Sequence, residues 1–145
     1  MILIDTNLLL YAYDSSSRYH LQSLKWLEKV LSDNVPVRLA WITIVAFLRI
    51  STNHKIFMNP FSISESIEIV SEWLSVPVVD ILNPTNRHWG ILTKLSIEGQ
   101  VTGPLIMDAY LAALAIEHGA KVYTTDKDFR RFDDLQVVYP FSDIE

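Results

Sequence analysis

The residues Ile2-Leu3-Ile4 form a continuous apolar run that breaks abruptly at Asp5. A strand with one wet face alternates apolar and polar side chains, whereas a strand apolar at every position is covered on both faces. Such strands belong to parallel sheets, whose crossover connections place helices on either side. This segment suits an α/β architecture. The remainder agrees, because short β-rich runs alternate with longer amphipathic stretches. We expect strands over 2–4, 35–40, 76–82, 121–125 and 136–139. Helices are expected over 8–13, 19–31, 41–51, 63–74, 84–98 and 104–118. Ser62 and Glu65 read as a capping box, and Asn83-Pro84 as a cap with proline at the first helical position. Gly99 and Gly119 read as helix terminators.

A chain of 145 residues fits a single domain spanning 1–145. Cysteine is absent, which excludes a disulfide scaffold, a thiolate nucleophile and sulfur-based zinc sites. Twelve Lys and Arg against seventeen Asp and Glu give a formal charge of −5, so no domain-wide basic surface exists for nucleic acid. A local basic patch is still compatible with that balance. The uncharged run 39–48 is half the length of a membrane-spanning helix, and the N-terminus lacks the basic segment of a signal peptide. The expectation is a soluble cytoplasmic protein with no membrane partner.

Three carboxylates stand where a stable core would not choose them. Asp5 and Asp126 each close an expected strand, at the carboxyl edge where open α/β sheets bind ligands. Each also reads as the cap of the turn or helix that follows. Asp108 has Pro104, Leu105, Leu111 and Ala112 as its helical neighbours, and a carboxylate among them costs several kcal/mol, on the order of 2–7, unless compensated. A cap or salt bridge near the helix N-terminus is the plainer account of it. If the first and fourth strands are neighbours, however, all three acids face one crevice. Convergent carboxylates with no interleaved His or Cys suit a hard cation such as Mg²⁺, which can hold a phosphodiester and activate water for in-line attack. Thr6, Asn7, Thr124 and Thr125 supply neutral groups to orient water or a carboxylate, with Asp128 as a further acid. The four histidines share no ligand spacing, and none is assigned to metal.

The segments Ile2-Leu3-Ile4-Asp5-Thr6-Asn7, Asp108-Ala109-Tyr110-Leu111-Ala112-Ala113-Leu114-Ala115 and Thr124-Thr125-Asp126-Lys127-Asp128-Phe129 resemble those of PIN domains, in order and nearly end to end. The resemblance is nearest to VapC-type toxins of type II toxin–antitoxin modules, and Phe47-Leu48-Arg49-Ile50-Ser51-Thr52-Asn53 looks like a segment of one VapC subgroup. It implies a three-layer α/β/α fold with a mostly parallel sheet. It also implies a Mg²⁺- or Mn²⁺-dependent endoribonuclease acting on tRNA or rRNA, with Asp5, Asp108 and Asp126 as catalytic metal ligands. A VapB-like antitoxin and a homodimer are the implied partners. One position departs from the pattern. The usual Glu three residues before Arg49 is Ala46, and no Asp or Glu occurs between Asp33 and Glu65.

RNA binding by an acidic chain needs local cations. Lys127, Arg130 and Arg131 follow Asp126, and Arg49, His54 and Lys55 follow the Ala46 position. Both groups are candidates for phosphate contact, although solvated charges are the commoner role. Trp41, Trp89 and Tyr110 are candidates for base stacking against a core role. The rival reading is a PIN-like RNA-binding module impaired at Ala46. Haloacid-type phosphatases and response-regulator receivers fit less well, since Asn7 stands where the former needs a second Asp and the latter needs an early acidic pair.

Overall fold

The computed structural model describes residues 1–141; the last four residues of the domain expected over 1–145 lie outside them. Strand β1 (Ile2–Ile4) is followed by helices α1 (Thr6–Tyr13) and α2 (His20–Leu31), β2 (Val37–Leu39), α3 (Trp41–Ser51) and α4 (Ile63–Ser75). Then come β3 (Val79–Ile81), α5 (His88–Glu98), α6 (Leu105–His118), β4 (Lys121–Tyr123), a 3-10 turn (Lys127–Arg131) and β5 (Val137–Val138). The strands form one parallel sheet in the order β3-β2-β1-β4-β5. The first strand is central, as its unbroken apolar run requires.

Side chains alternate across that sheet. Ile2 and Ile4 pack on one face with Leu8, Leu27, Phe47 and Trp73, so α1 to α4 cover that side. Leu3 points the other way, into a second core with Leu95, Leu114, Val122 and Phe129, so α5, α6 and the 3-10 turn cover the opposite side. The result is a three-layer α/β/α fold. Helix α6 owes its close approach to the run Ala112-Ala113-Leu114-Ala115, buried throughout. Truncating a leucine in such a place costs about 2–5 kcal/mol. No helix among the described residues is long and apolar enough to cross a membrane.

Several expected boundaries shift. The capping box at Ser62 and Glu65 is present with both of its hydrogen bonds. Gly119 ends α6 in the left-handed region at φ 68°. Gly99 ends α5 at an ordinary φ of −82°; glycine is required there because a Cβ would lie 2.8 Å from the Leu95 carbonyl. Helix α1 starts at Thr6 rather than residue 8, with Asp5 as its cap. The strands other than β1 pair over only two or three residues, shorter than their apolar runs. Helix α5 begins at His88, not Pro84. Glu117 causes that delay: its Oε1 accepts from the Thr85 N–H and hydroxyl, each at 2.7 Å. Arg87 donates to the Glu117 carbonyl at 2.6 Å, which holds the segment before α5 as a turn against the end of α6.

Candidate active site

Strands β1 and β4 lie side by side with Ile4 opposite Tyr123, so their carboxyl ends deliver Asp5 and Thr124 to one place. This is the switch point of the sheet, where the chain, having wound out through β2 and β3, returns to the other side of β1. The Asp5 N–H donates to the Tyr123 carbonyl at 3.0 Å. Asp5 is buried, and both of its oxygens are engaged. Oδ1 accepts from the Thr6 N–H at 2.8 Å and Oδ2 from the Thr124 hydroxyl at 2.6 Å. The same Thr124 oxygen accepts from the Asp126 N–H at 2.9 Å, so one buried hydroxyl ties two acids together. Thr124, and not its neighbour Thr125, makes these contacts.

Asp126 caps the 3-10 turn, its Oδ1 accepting from the Asp128 N–H at 2.8 Å. Tyr139 supports it from β5's end by donating to the Asp126 carbonyl at 3.1 Å. Asp108 enters from the first turn of α6. One oxygen each from Asp108, Asp126 and Asp128 lies within 4.8 Å of the others. The capping readings of Asp5 and Asp126 are realised, while the oxygens that lie together are those of Asp108, Asp126 and Asp128, with Asp5 tied to Asp126 through Thr124. A cap does not exhaust a carboxylate, which has about four acceptor positions.

The electrostatics follow from this crowding. Burial pushes the Asp5 carboxyl up to about 6, with the Asp126 charge adding and the Thr124 and Thr6 hydrogen bonds opposing. Asp108 is pushed up to about 7, first by burial and then by the charges of Asp5, Asp126 and Asp128, while Arg131 opposes. Asp5 and Asp108, hard oxygen donors whose proton affinity is raised by burial and then by neighbouring negative charge, are suited to a divalent cation. The donor chemistry fits Mg²⁺ or Mn²⁺.

The other expected residues are scattered around this group. Asn7 is half-buried in the first turn of α1. Lys127 and Arg130 are exposed on the turn beside the acids, with Arg130 lying 5.0 Å over the Tyr139 ring. Arg131 is more constrained, donating to the Gly99 carbonyl at 2.8 Å and the Asp128 carbonyl at 3.2 Å. Arg49 lines an open apolar groove of about 470 Å³ with Trp41, Ala46 and Met107. Trp41 and Trp89 are 53% and 75% exposed, so neither is a core residue. Tyr110 packs instead on the His88 ring. Sequence reasoning passed over the His88–Glu117 pair, although a glutamate inside the most apolar helix was a signal for it.

The PIN-domain family matches residues 2–135. Ribonuclease VapC37 of Mycobacterium tuberculosis is 38% identical over 136 residues, covering 94% of each chain. Two solved structures share the fold. One is VapC20 of the same organism, described as a toxin that cleaves the sarcin–ricin loop, with a TM-score of 0.68 at 14% identity over 94% of this chain and 99% of that one. The other is a toxin–antitoxin complex from Klebsiella pneumoniae, with a TM-score of 0.62 at 19% identity over 97% and 98%. With the acids at the carboxyl edge of a 3-2-1-4-5 sheet, these matches place the chain: it belongs to the PIN-domain family and, within it, among the VapC ribonucleases.

Proposed function

We propose that this chain is a VapC-type toxin, an endoribonuclease dependent on Mg²⁺ or Mn²⁺ that cuts tRNA or rRNA in the cytoplasm. The observation that carries the reading is the group of acids at the β1–β4 switch point, with Asp108, Asp126 and Asp128 oxygens within 4.8 Å and Asp5 anchored beside them. A divalent cation bound there supplies Lewis acidity to the scissile phosphate and to water.

The chain's own residues do the rest. Asp5, Asp108 and Asp126 hold the cation. Thr124 fixes the orientation of Asp5 through its hydroxyl and of Asp126 through the backbone N–H. Asp108, pushed up to about 7, is only partly ionised at neutral pH, so positive charge in the site draws off the remaining proton and couples its ionisation to occupancy. Lys127, Arg130 and Arg49 receive flanking phosphates from either side of the acids. A VapB-like antitoxin inhibits by covering the crevice, and the toxin works as a homodimer.

Ala46 favours one rival, an RNA-binding module without catalysis. Incubating the antitoxin-free chain with total tRNA and rRNA separates the two. The nuclease reading expects cleavage with Mg²⁺ or Mn²⁺, none with EDTA, and none by Asp5→Ala. RNA binding without cleavage under every metal condition selects the impaired module.

A further inference from the structure

The 3-10 turn Lys127–Arg131 divides its side chains among three faces. With about 3.0 residues per turn, residues three apart eclipse one another. Phe129 turns inward and is fully buried, which anchors the turn on the core. Asp128 and Arg131 share a second face, where they form an ion pair of 3.9 Å. Arg131 donates there to the Gly99 and Asp128 carbonyls, so its nitrogens are committed to the protein. Lys127 and Arg130 share the third face, and both are exposed. At about 2.0 Å per residue, Arg130 stands about 8 Å along the turn from Asp126.

Arg130 is exposed without being loose. No carboxylate among the described residues pairs with it, and its guanidinium lies 5.0 Å over the Tyr139 ring. Such stacking occupies the face of the guanidinium and leaves its in-plane N–H donors at the rim, where a phosphate is received bidentately. Tyr139 is fixed in turn. It is half-buried directly after β5, and its hydroxyl donates to the Asp126 carbonyl at 3.1 Å. Packing alone accounts for the ring of Tyr139 but not for a hydroxyl aimed at that carbonyl. One phenol therefore touches the backbone of an acid in the crevice at its hydroxyl and carries a cation on its ring.

Resting on the nuclease reading above, we propose that Tyr139 is a positioning residue for substrate RNA: its ring presents Arg130 to the phosphate next to the scissile one, and its hydroxyl keeps that clamp in register with Asp126. A guanidinium ordered in advance loses less side-chain freedom when the phosphate arrives. Anisotropy titration of labelled total tRNA with the antitoxin-free chain in EDTA, over a series of salt concentrations, reads binding apart from cleavage. Arg130→Gln is expected to weaken binding about tenfold and to reduce the slope of log K against log salt by about 0.7–1, the share of one phosphate contact. Tyr139→Leu is expected to weaken binding about two- to fivefold, the range of an exposed cation–π contact. Adding it to Arg130→Gln is expected to weaken binding no further, because both act through one contact. Tyr139→Phe keeps the ring, so affinity and salt slope are expected to hold. Its single-turnover cleavage with Mn²⁺ is expected to slow about tenfold, the size typical of lost support for a metal ligand. Affinity unchanged by Tyr139→Leu at a held melting temperature, or a loss that adds in full to that of Arg130→Gln, overturns the assignment. A salt slope unchanged by Arg130→Gln overturns it without any change at Tyr139. Absence of Mn²⁺-dependent cleavage by the unaltered chain, with these binding effects intact, overturns the nuclease reading alone.

Discussion

At the scale of single residues, stability and function pull in opposite directions at Asp108. Its folded carboxyl ionises at about 7 against an ordinary 3.8, so between those values the folded state holds a proton that the unfolded state has released. Stability of the metal-free chain then falls as pH rises through that window. Asp108→Asn removes the penalty. Allowing for partial exposure, it is expected to stabilise the chain in EDTA by about 1–2 kcal/mol at pH 7.5 and by almost nothing at pH 4. Urea denaturation at both pH values reads this, and a stabilisation independent of pH contradicts it. Asp5→Asn gains less, because the amide offers only one acceptor where Thr6 and Thr124 both donate. Thr124→Val goes the other way. It strands an Asp5 oxygen and the Asp126 N–H in a buried place, at a cost of about 1–3 kcal/mol, and it disorients two ligands at once. Both acids were legible in the sequence because each interrupts or ends an apolar run. Asp128 was legible only as a further acid beside them, since its approach to Asp108 depends on the 3-10 turn folding back.

Among the elements, α6 connects the two ends of the molecule. Its first turn carries Asp108 and its last carries Glu117, which is buried. Burial pushes the Glu117 carboxyl up, but hydrogen bonds from Thr85 and His88 outweigh it and leave the group below its ordinary value. Its stabilisation is present above the ordinary glutamate range and is lost as pH falls through the lowered folded value. Glu117→Ala leaves the Thr85 N–H and the Thr85 hydroxyl proton without acceptors and is expected to cost about 2–4 kcal/mol. Because Glu117 sits at the far end of the helix from Asp108, kcat per folded molecule should not change; a fall in kcat at full folding contradicts this. The same residue explains why α5 was misplaced in the sequence reading. Asn83-Pro84 is a sound local start signal, but Glu117 lies 32 residues on from Thr85 and claims the backbone donors first. Where start signals were satisfied locally, as at Ser62, the boundary was read correctly. The strands were read too long for a related reason: apolar runs mark burial, while strand length is set by how far neighbours pair.

For the whole molecule, the parallel order and the placement of β4 beside β1 followed from one covered strand and from the alternation of elements. Surface was less legible, because apolar residues at helical spacing read as core. Trp41 and Val45 on α3, Trp89 and Ile97 on α5, and Ile106 and Met107 at the start of α6 are all exposed. Trp41, Val45 and Met107 line one groove and Trp89, Ile97 and Ile106 another, and contiguous exposed apolar patches usually mark interfaces. The isolated chain is expected to be dimeric by light scattering, and Trp89→Glu or Val45→Glu to shift it towards monomer or abolish antitoxin binding. Unchanged mass and unchanged antitoxin binding in both variants contradict the interface. The central claim is that the acids at the β1–β4 switch point make this fold a metal-dependent ribonuclease. Its most direct test is single-turnover cleavage of total tRNA and rRNA by the unaltered chain and by Asp108→Asn, each with Mn²⁺ and with EDTA. The account predicts cleavage only by the unaltered chain with Mn²⁺, at a rate at least a hundredfold (on the order of 3 kcal/mol in the barrier) above the variant. Cleavage that survives EDTA, or that Asp108→Asn carries out equally well, contradicts it.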